Sequence, residues 1–198
     1  MKKIIPAIAI IALLVFIFIP EKDSESTEAY NEEIQKERTE KDNYLSTSSN
    51  SPFYIYGDTT VQLKYFPINQ EYKVIAKVSL IEEKRLITLP NSDGSSTEYR
   101  KYAIASFTLG GQDHQLLILK NTEEGTLFTA FADQTSANET YGGGRYLDLD
   151  FTRATRITID FNRAYNPYCN YNHDYSCPLP PKENLLDIEI RAGEKNYI

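Results

Sequence analysis

The sequence predicts a mainly β-protein, an antiparallel barrel or sandwich of about eight short strands, with an N-terminal membrane helix and a short polar helix. Apolar and polar residues alternate over several short stretches after Pro52, as they do in half-buried strands. Turns rich in glycine, proline and asparagine separate these stretches. An apolar run near the N-terminus precedes them, and 198 residues suit one domain with appendages.

The N-terminal apolar run, residues 4–19, is interrupted only by Pro6 and follows Lys2 and Lys3. As a helix it would be about 24 Å long, close to the ~30 Å hydrocarbon core of a bilayer. Residues 1–20 are therefore interpreted as an uncleaved signal anchor or as a cleaved signal peptide. The lysines ahead of the run predict that the rest of the chain lies outside the cytoplasm. It would be anchored to the membrane, or secreted or periplasmic after cleavage.

Residues 21–51 are polar and predict a helical stalk. Ser26 or Thr27 can cap a helix that ends near Tyr44, because acidic residues lie early and basic residues late in this stretch. Two arrangements stay open. The helix is a solvated stalk, or it lies on the domain through its few large apolar residues, which are Tyr30, Ile34 and Leu45.

Residues 52–198 form the predicted β-rich domain. Its first strand alternates most clearly, with Tyr72, Val74, Ala76, Val78 and Leu80 on one face. The predicted strands span residues 70–81, 84–89, 99–109, 114–120, 126–132, 145–151, 156–161 and 185–191. A net charge of −7 without clustered lysine and arginine argues against nucleic acid as a partner.

The candidate functional residues lie between Asp133 and Glu183. Gly142, Gly143 and Gly144 precede Arg145, so a glycine loop and a bidentate arginine could hold an anion. Alternatively, the glycines form a tight hairpin connection and Arg145 pairs with an acidic residue inside the fold.

Three carboxylates, Asp133, Glu139 and Asp160, are the catalytic candidates, since a converging pair can act as general acid and base. The alternative is that they cap turns or accept bonds from buried N–H groups. Asp148 and Asp150 share one face of a strand and are interpreted as a solvent face.

Tyrosine and asparagine side chains supply flat rings and amide groups that suit a polar small molecule, a glycan or a peptide. The alternative is a long loop packed by its own tyrosines. With Arg145, the predicted ligand-binding residues are Tyr141, Tyr146, Asn162, Tyr165 and Asn166.

Cys169 and Cys177 are the only cysteines, and in an exported protein an even number predicts a disulfide. The bond would stabilise the fold by about 2–3 kcal/mol in the chain-entropy model. The alternatives are free structural thiols or a metal site completed by His173. The asparagine-rich sequence between the cysteines is a poor helix, which disfavours the metal site, and no metal or cofactor is predicted.

Four motifs in the C-terminal third resemble the uncharacterised family known as domain of unknown function 1684. The resemblance extends over about residues 37–197 and implies exported prokaryotic proteins without an established activity. The motifs are Asp133-x-Thr135…Glu139-Thr140-Tyr141-x-Gly143-Gly144-Arg145-Tyr146, Asp160-Phe161-Asn162-x-Ala164-Tyr165-Asn166-Pro167, Cys169-x7-Cys177-Pro178-x-Pro180-Pro181-x-Glu183-Asn184-x-Leu186 and Ala192-Gly193-Glu194-Lys195.

The leading functional hypothesis is a binding or structural module of the cell envelope. The alternative is a hydrolase-like enzyme that uses paired carboxylates with Arg145. An enzyme should bring two carboxylates together in an open cleft, whereas a binding module should present tyrosine faces along a groove.

Overall fold

The computed structural model describes residues 24–57, 60–83, 85–151 and 153–197. Within them, one helix packs on a curled antiparallel sheet of seven strands, so the mainly β-class is confirmed. The elements are α1 (Ser24–Thr47), β1 (Lys73–Leu80), β2 (Leu86–Pro90), β3 (Ser96–Leu109), β4 (Gln112–Asn121), β5 (Leu127–Phe131), β6 (Arg145–Leu149) and β7 (Arg156–Asp160).

The sheet curls until its two ends nearly meet. The strand order is β6-β5-β4-β3-β1-β7, and β2 pairs with the N-terminal half of β3. Tyr146 in β6 and Tyr165, which follows β7, exchange two main-chain hydrogen bonds of 2.8 and 3.0 Å. This bridge joins the first strand of the order to the segment beyond the last one. The sheet is thus a curled half-barrel, and the bridge between Tyr146 and Tyr165 links its two edges.

The eighth predicted strand, residues 185–191, is absent. Its alternation does reflect an inward face, since Leu186 and Ile190 are buried. Its main chain, however, forms only one isolated bridge to the sheet, between Leu185 and Ala132. The segment is irregular because the carbonyl of Ile190 bonds the side chain of Arg145 instead of a neighbouring strand.

The main core lies inside the half-barrel. It consists of the inward residues of β1, β3, β4 and β7 together with aromatic rings and the C-terminal segment. On β1 the predicted alternation is confirmed for Ala76 and Val78, which are buried, whereas Leu80 is 44% exposed. The largest side chains of this core are Phe107, Leu116, Ile118, Phe131, Ile159, Phe161 and Ile190.

A gap between β4 and β5 is filled by one side chain. The two strands pair only at Leu119 and Lys120. Further along, Asn184 inserts its side chain, with Oδ1 accepting from the N–H of Leu117 at 2.6 Å. Its Nδ2 lies 3.0 Å from the carbonyl oxygen of Leu117 and 2.8 Å from that of Ala130. A fully buried amide therefore replaces the missing part of the ladder.

Helix α1 lies on the domain and is not a solvated stalk. Tyr30, Ile34 and Leu45 are buried at 6%, 1% and 1% exposure, as the second of the two predicted arrangements requires. The predicted membrane helix, residues 1–20, lies outside the described residues. Within the described ranges, no helix is both long and apolar enough to span a bilayer.

Candidate functional site

Arg145 opens β6 and is sealed in the core at 1% exposure. Its Nη2 donates to Asp133 Oδ2 and to the carbonyl of Ile190, both at 2.8 Å. Its Nη1 donates to the carbonyls of Ala192 and Glu194. Burial lowers the pKa of Arg145 and the Asp133 carboxylate opposes that shift. The structure therefore shows the second of the two predicted arrangements, in which Arg145 pairs with an acidic residue inside the fold. An external anion cannot reach Arg145, because the side chain is buried.

Gly144, the last glycine before Arg145, is pressed against the core, and its N–H donates to the carbonyl of Tyr141 at 3.0 Å. Gly144 has φ of +84°, and a Cβ there would lie 2.6 Å from the carbonyl oxygen of Phe131. The same Cβ would lie 2.5 Å from Pro180. Only glycine fits, because the backbone conformation is left-handed and the space is occupied.

Asp160 belongs to a second buried cluster that fastens α1 to the sheet. It accepts from the hydroxyl of Tyr30 at 2.9 Å and from Arg163 Nη1 at 2.8 Å. Asn162 lies beside it, and its amide bonds the main chain of Asn69 at 2.8 and 3.0 Å. Burial, followed by the bond to Asp160, raises the pKa of Tyr30. The side chains of Asp160 and Asn162 therefore bond other parts of the protein, namely Tyr30 of α1 and the main chain of Asn69.

Glu139 lies in a third place, where Arg191 Nε donates to it at 2.9 Å on the surface. Asp133, Asp160 and Glu139 thus each pair with a different arginine. The predicted acid–base pair is not assembled, because none of the three faces another across an open cleft.

Cys169 and Cys177 are buried free thiols, which corrects the predicted disulfide. Their sulfurs are hydrogen-bonded neighbours instead, and the N–H of Cys169 donates to the sulfur of Cys177 at 3.2 Å. The thiol of Cys177 is the main group that lowers the pKa of Cys169. His173 is exposed, and no described cluster of three His, Cys, Asp or Glu side chains is arranged to hold a metal ion.

Two further predicted ligand-binding residues face inward. Asn166 is 1% exposed and its Nδ2 donates to the carbonyl of Lys195 at 2.7 Å. Tyr141 is half-buried, with its hydroxyl 3.7 Å from the sulfur of Cys169. Both side chains fix the C-terminal third of the chain, and neither faces an open cavity.

One open site is a groove of about 560 Å³ beside the C-terminal half of α1. We call it the tyrosine groove. Its walls are four tyrosines and two prolines, and a lysine and an aspartate supply its charges. The lining residues are Lys41, Tyr146, Asp148, Tyr165, Pro167, Tyr168, Tyr175, Ser176, Cys177 and Pro178.

Edge-to-face contacts fix the tyrosines of the groove. The ring centroids of Tyr168 and Tyr175 are 5.3 Å apart, and those of Tyr146 and Tyr165 are 5.9 Å apart. The hydroxyl of Tyr165 donates to Asp148 Oδ1 at 2.8 Å, and that of Tyr146 donates to the carbonyl of Pro178 at 2.5 Å. Burial raises the pKa of Tyr146 and of Tyr165 above the usual value for tyrosine.

Lys41 is the cation of the groove. Its Nζ lies 4.6 Å from the centre of the Tyr165 ring and 3.3 Å from Oε2 of Glu194. Glu194 is fully buried and also accepts from the hydroxyl of Tyr171 at 2.5 Å. The buried carboxylate and the ring therefore hold the ammonium group at the groove in one position.

The groove brings together two of the predicted ligand-binding residues, Tyr146 and Tyr165. Sequence reasoning missed Lys41, although its position four residues before the buried Leu45 places it on the inner side of α1. It also missed Asp148 as a site residue. The solvent face predicted for Asp148 and Asp150 is confirmed, since both are exposed.

Known proteins resemble this chain over most of its length. Residues 59–195 match the family described as protein of unknown function (DUF1684). A similar solved structure is the solution NMR structure of an uncharacterised protein from Haloarcula marismortui, at 36% sequence identity and a TM-score of 0.66. The match covers 86% of this chain and 96% of that one. No curated protein matches the chain.

Proposed function

The chain belongs to the DUF1684 family, and we propose that it is a binding module of the cell envelope whose tyrosine groove holds a polar ligand, a glycan or a peptide. The observation that carries the proposal is the open groove itself. It presents four tyrosine rings that internal contacts hold in place before any ligand binds.

A groove of this composition suits recognition. Rigid aromatic walls offer large contact areas and lose little conformational entropy on binding. Asp148 and Lys41 add one acceptor and one donor at the edge of the apolar surface, which is the usual arrangement of a site that orients a polar ligand.

The pairing of the candidate carboxylates supports binding over hydrolysis. Asp133, Asp160 and Glu139 are each neutralised by an arginine, so none is positioned as an acid or base at the groove. No observation specifically favours the hydrolase-like alternative.

A location outside the cytoplasm is part of the proposal. Its support is the sequence ahead of the domain, where Lys2 and Lys3 precede an apolar run of about membrane length. Fractionation of cells that express a tagged full chain tests this part separately. Recovery of the protein in the soluble cytoplasmic fraction would contradict it.

The binding itself is tested with panels of immobilised glycans and peptides and the variant Tyr175→Ala. Tyr175 is 37% exposed and packs edge-to-face on Tyr168, so its loss should remove one wall of the groove and weaken binding about tenfold or more.

Tyr54→Ala is the matched control, because Tyr54 is 61% exposed and does not line the groove. This variant should bind like the wild type. Equal binding by Tyr175→Ala and wild type, or no binding to any member of either panel, would contradict the proposed function.

A further inference from the structure

The aromatic surface of the tyrosine groove continues onto α1. A side-chain hydrogen bond joins Tyr168 to Tyr44, which lies near the C-terminal end of α1 and is 43% exposed. Tyr175 packs edge-to-face on the same Tyr168 ring and is exposed as well. The three rings therefore form one connected aromatic surface, part of which faces solvent.

The asparagine side chains of the C-terminal third take no part in this surface. Among the described residues that line the groove there is no asparagine, glutamine or histidine. Four asparagines are buried instead, and their amides donate to oxygens of the protein itself; they are Asn162, Asn166, Asn170 and Asn172. A sugar hydroxyl both donates and accepts hydrogen bonds, so a glycan that leaves water needs several polar partners. The groove therefore suits a peptide better than a glycan.

The charge that is left uncompensated in the groove is negative. Lys41 is compensated, since its Nζ lies 3.3 Å from Oε2 of the buried Glu194. Asp148 is exposed and accepts from the hydroxyl of Tyr165 at 2.8 Å, but it belongs to none of the ion pairs that the described residues form. A basic group on the ligand complements this carboxylate.

A polyproline helix has the chemistry that matches the rest of the groove. It is extended, presents apolar rings, and leaves its carbonyl groups without internal hydrogen bonds. Grooves lined by aromatic rings bind such helices, and the ligand loses little conformational entropy because its shape exists before binding. Tyr175 and Ser176 are exposed at the groove, and their hydroxyls can donate to the free carbonyls.

We propose that the tyrosine groove binds an extended proline-rich peptide that carries a lysine or an arginine beside Asp148. The inference rests on the proposed function and adds the chemical class of the ligand. In this arrangement proline rings pack on the tyrosine rings, and the carbonyls between them accept from Tyr175 and Ser176. The basic side chain pairs with Asp148 and fixes the direction of the peptide along the groove.

The test measures the fluorescence polarisation of labelled ten-residue peptides with the full chain in detergent. Decaproline is the neutral probe, and two basic probes carry one arginine at the first or the last position of a proline peptide. One of the basic probes should bind saturably and several-fold more tightly than decaproline. A peptide that keeps the arginine but has glycine and serine in place of the prolines should bind about tenfold more weakly.

Asp148→Asn tests the position of the basic residue, because it should remove the preference for the basic probe over decaproline. Asp150→Asn is the matched control. Asp150 is exposed on the same face of the chain but does not line the groove, so this variant should keep the preference. An unchanged preference in Asp148→Asn would overturn the assignment of the basic residue.

Cellohexaose and chitohexaose form the glycan arm of the experiment. Equal binding of the proline and the glycine–serine peptides, or no saturable binding of any proline peptide, would overturn the inference. If a hexasaccharide bound in that case and lost affinity in Tyr175→Ala, the proposed function would stand while this inference fell.

Discussion

Two polar regions of the molecule arise from the same stretch of sequence and differ in what surrounds them. Around Arg145, carboxylate and carbonyl oxygens accept bonds from both Nη atoms and no side chain faces solvent. In the tyrosine groove, four tyrosine rings and Asp148 from the same third of the chain, together with Lys41 of α1, border an open cavity. Both regions are preorganised, but one stabilises the fold and the other is available to a partner. The composition of a segment therefore does not distinguish a site from a structural support.

The strongest test of this comparison is Asp133→Asn, which removes the charge that faces Arg145 and keeps the side-chain shape. Both side chains are essentially inaccessible, so the guanidinium would stay buried without its paired carboxylate. We expect the free energy of unfolding to fall by about 3–5 kcal/mol, measured by urea titration. Glu139→Gln breaks an exposed ion pair and should cost less than about 1 kcal/mol. Equal losses for the two variants would contradict the distinction.

Asn184→Ala should have the next largest effect. It removes the acceptor of the Leu117 N–H and a donor to two carbonyls in the gap between β4 and β5. Unpaired buried groups of this kind cost about 1–3 kcal/mol each, so we expect a loss of about 2–4 kcal/mol. Hydrogen exchange should also become faster at the Leu117 amide specifically. Unchanged protection there would show that Asn184 does not maintain the ladder.

A pair of glycines separates backbone strain from crowding. Gly94 and Gly144 both have φ of +84°, but a Cβ at Gly94 meets open space. Gly94→Ala should therefore cost only the left-handed conformation, about 1–2 kcal/mol. Gly144→Ala should cost about 1–3 kcal/mol more, because its methyl group collides with Phe131 and Pro180. Thermal unfolding of both variants measures the difference, and a difference near zero would mean that the loop is loosely packed.

A small effect on stability is expected for Tyr165→Phe in the groove. It removes the bond from the hydroxyl to Asp148, which lies on the exposed side of the ring. The free energy of unfolding should fall by less than about 1.5 kcal/mol, while affinity for a groove ligand falls several-fold. A large loss of stability with unchanged affinity would place Tyr165 with the structural residues instead.

The sequence predicts those features that depend on local periodicity. Alternation together with turn residues located each of the seven strands in the described ranges, and the spacing of Tyr30, Ile34 and Leu45 gave one of the two predicted arrangements of α1, the helix that lies on the domain. Long-range contacts are not local. Asn184 bonds residues more than fifty positions away, and no pattern around it indicates that it fills a sheet.

The candidate site was predicted only in part, because side-chain chemistry can be read from the sequence whereas long-range contacts cannot. Tyr146 and Tyr165 have the chemistry of recognition residues and do line the groove. Arg145 has that chemistry as well, but it points inward because the irregular segment 185–194 passes beside it with its carbonyls. Lys41 comes from a helix distant in sequence, and only the docked position of that helix brings it to the groove.

The late position of Asn184 in the chain has a consequence for biosynthesis. A nascent polypeptide that has left the ribosome only up to β7 has every strand but lacks the amide that completes β4 and the carbonyls that surround Arg145. Such a chain cannot close its interior. Folding of this domain should therefore reach completion only after residue 194 has left the ribosome, and stalled shorter products should be targets for chaperones and proteases.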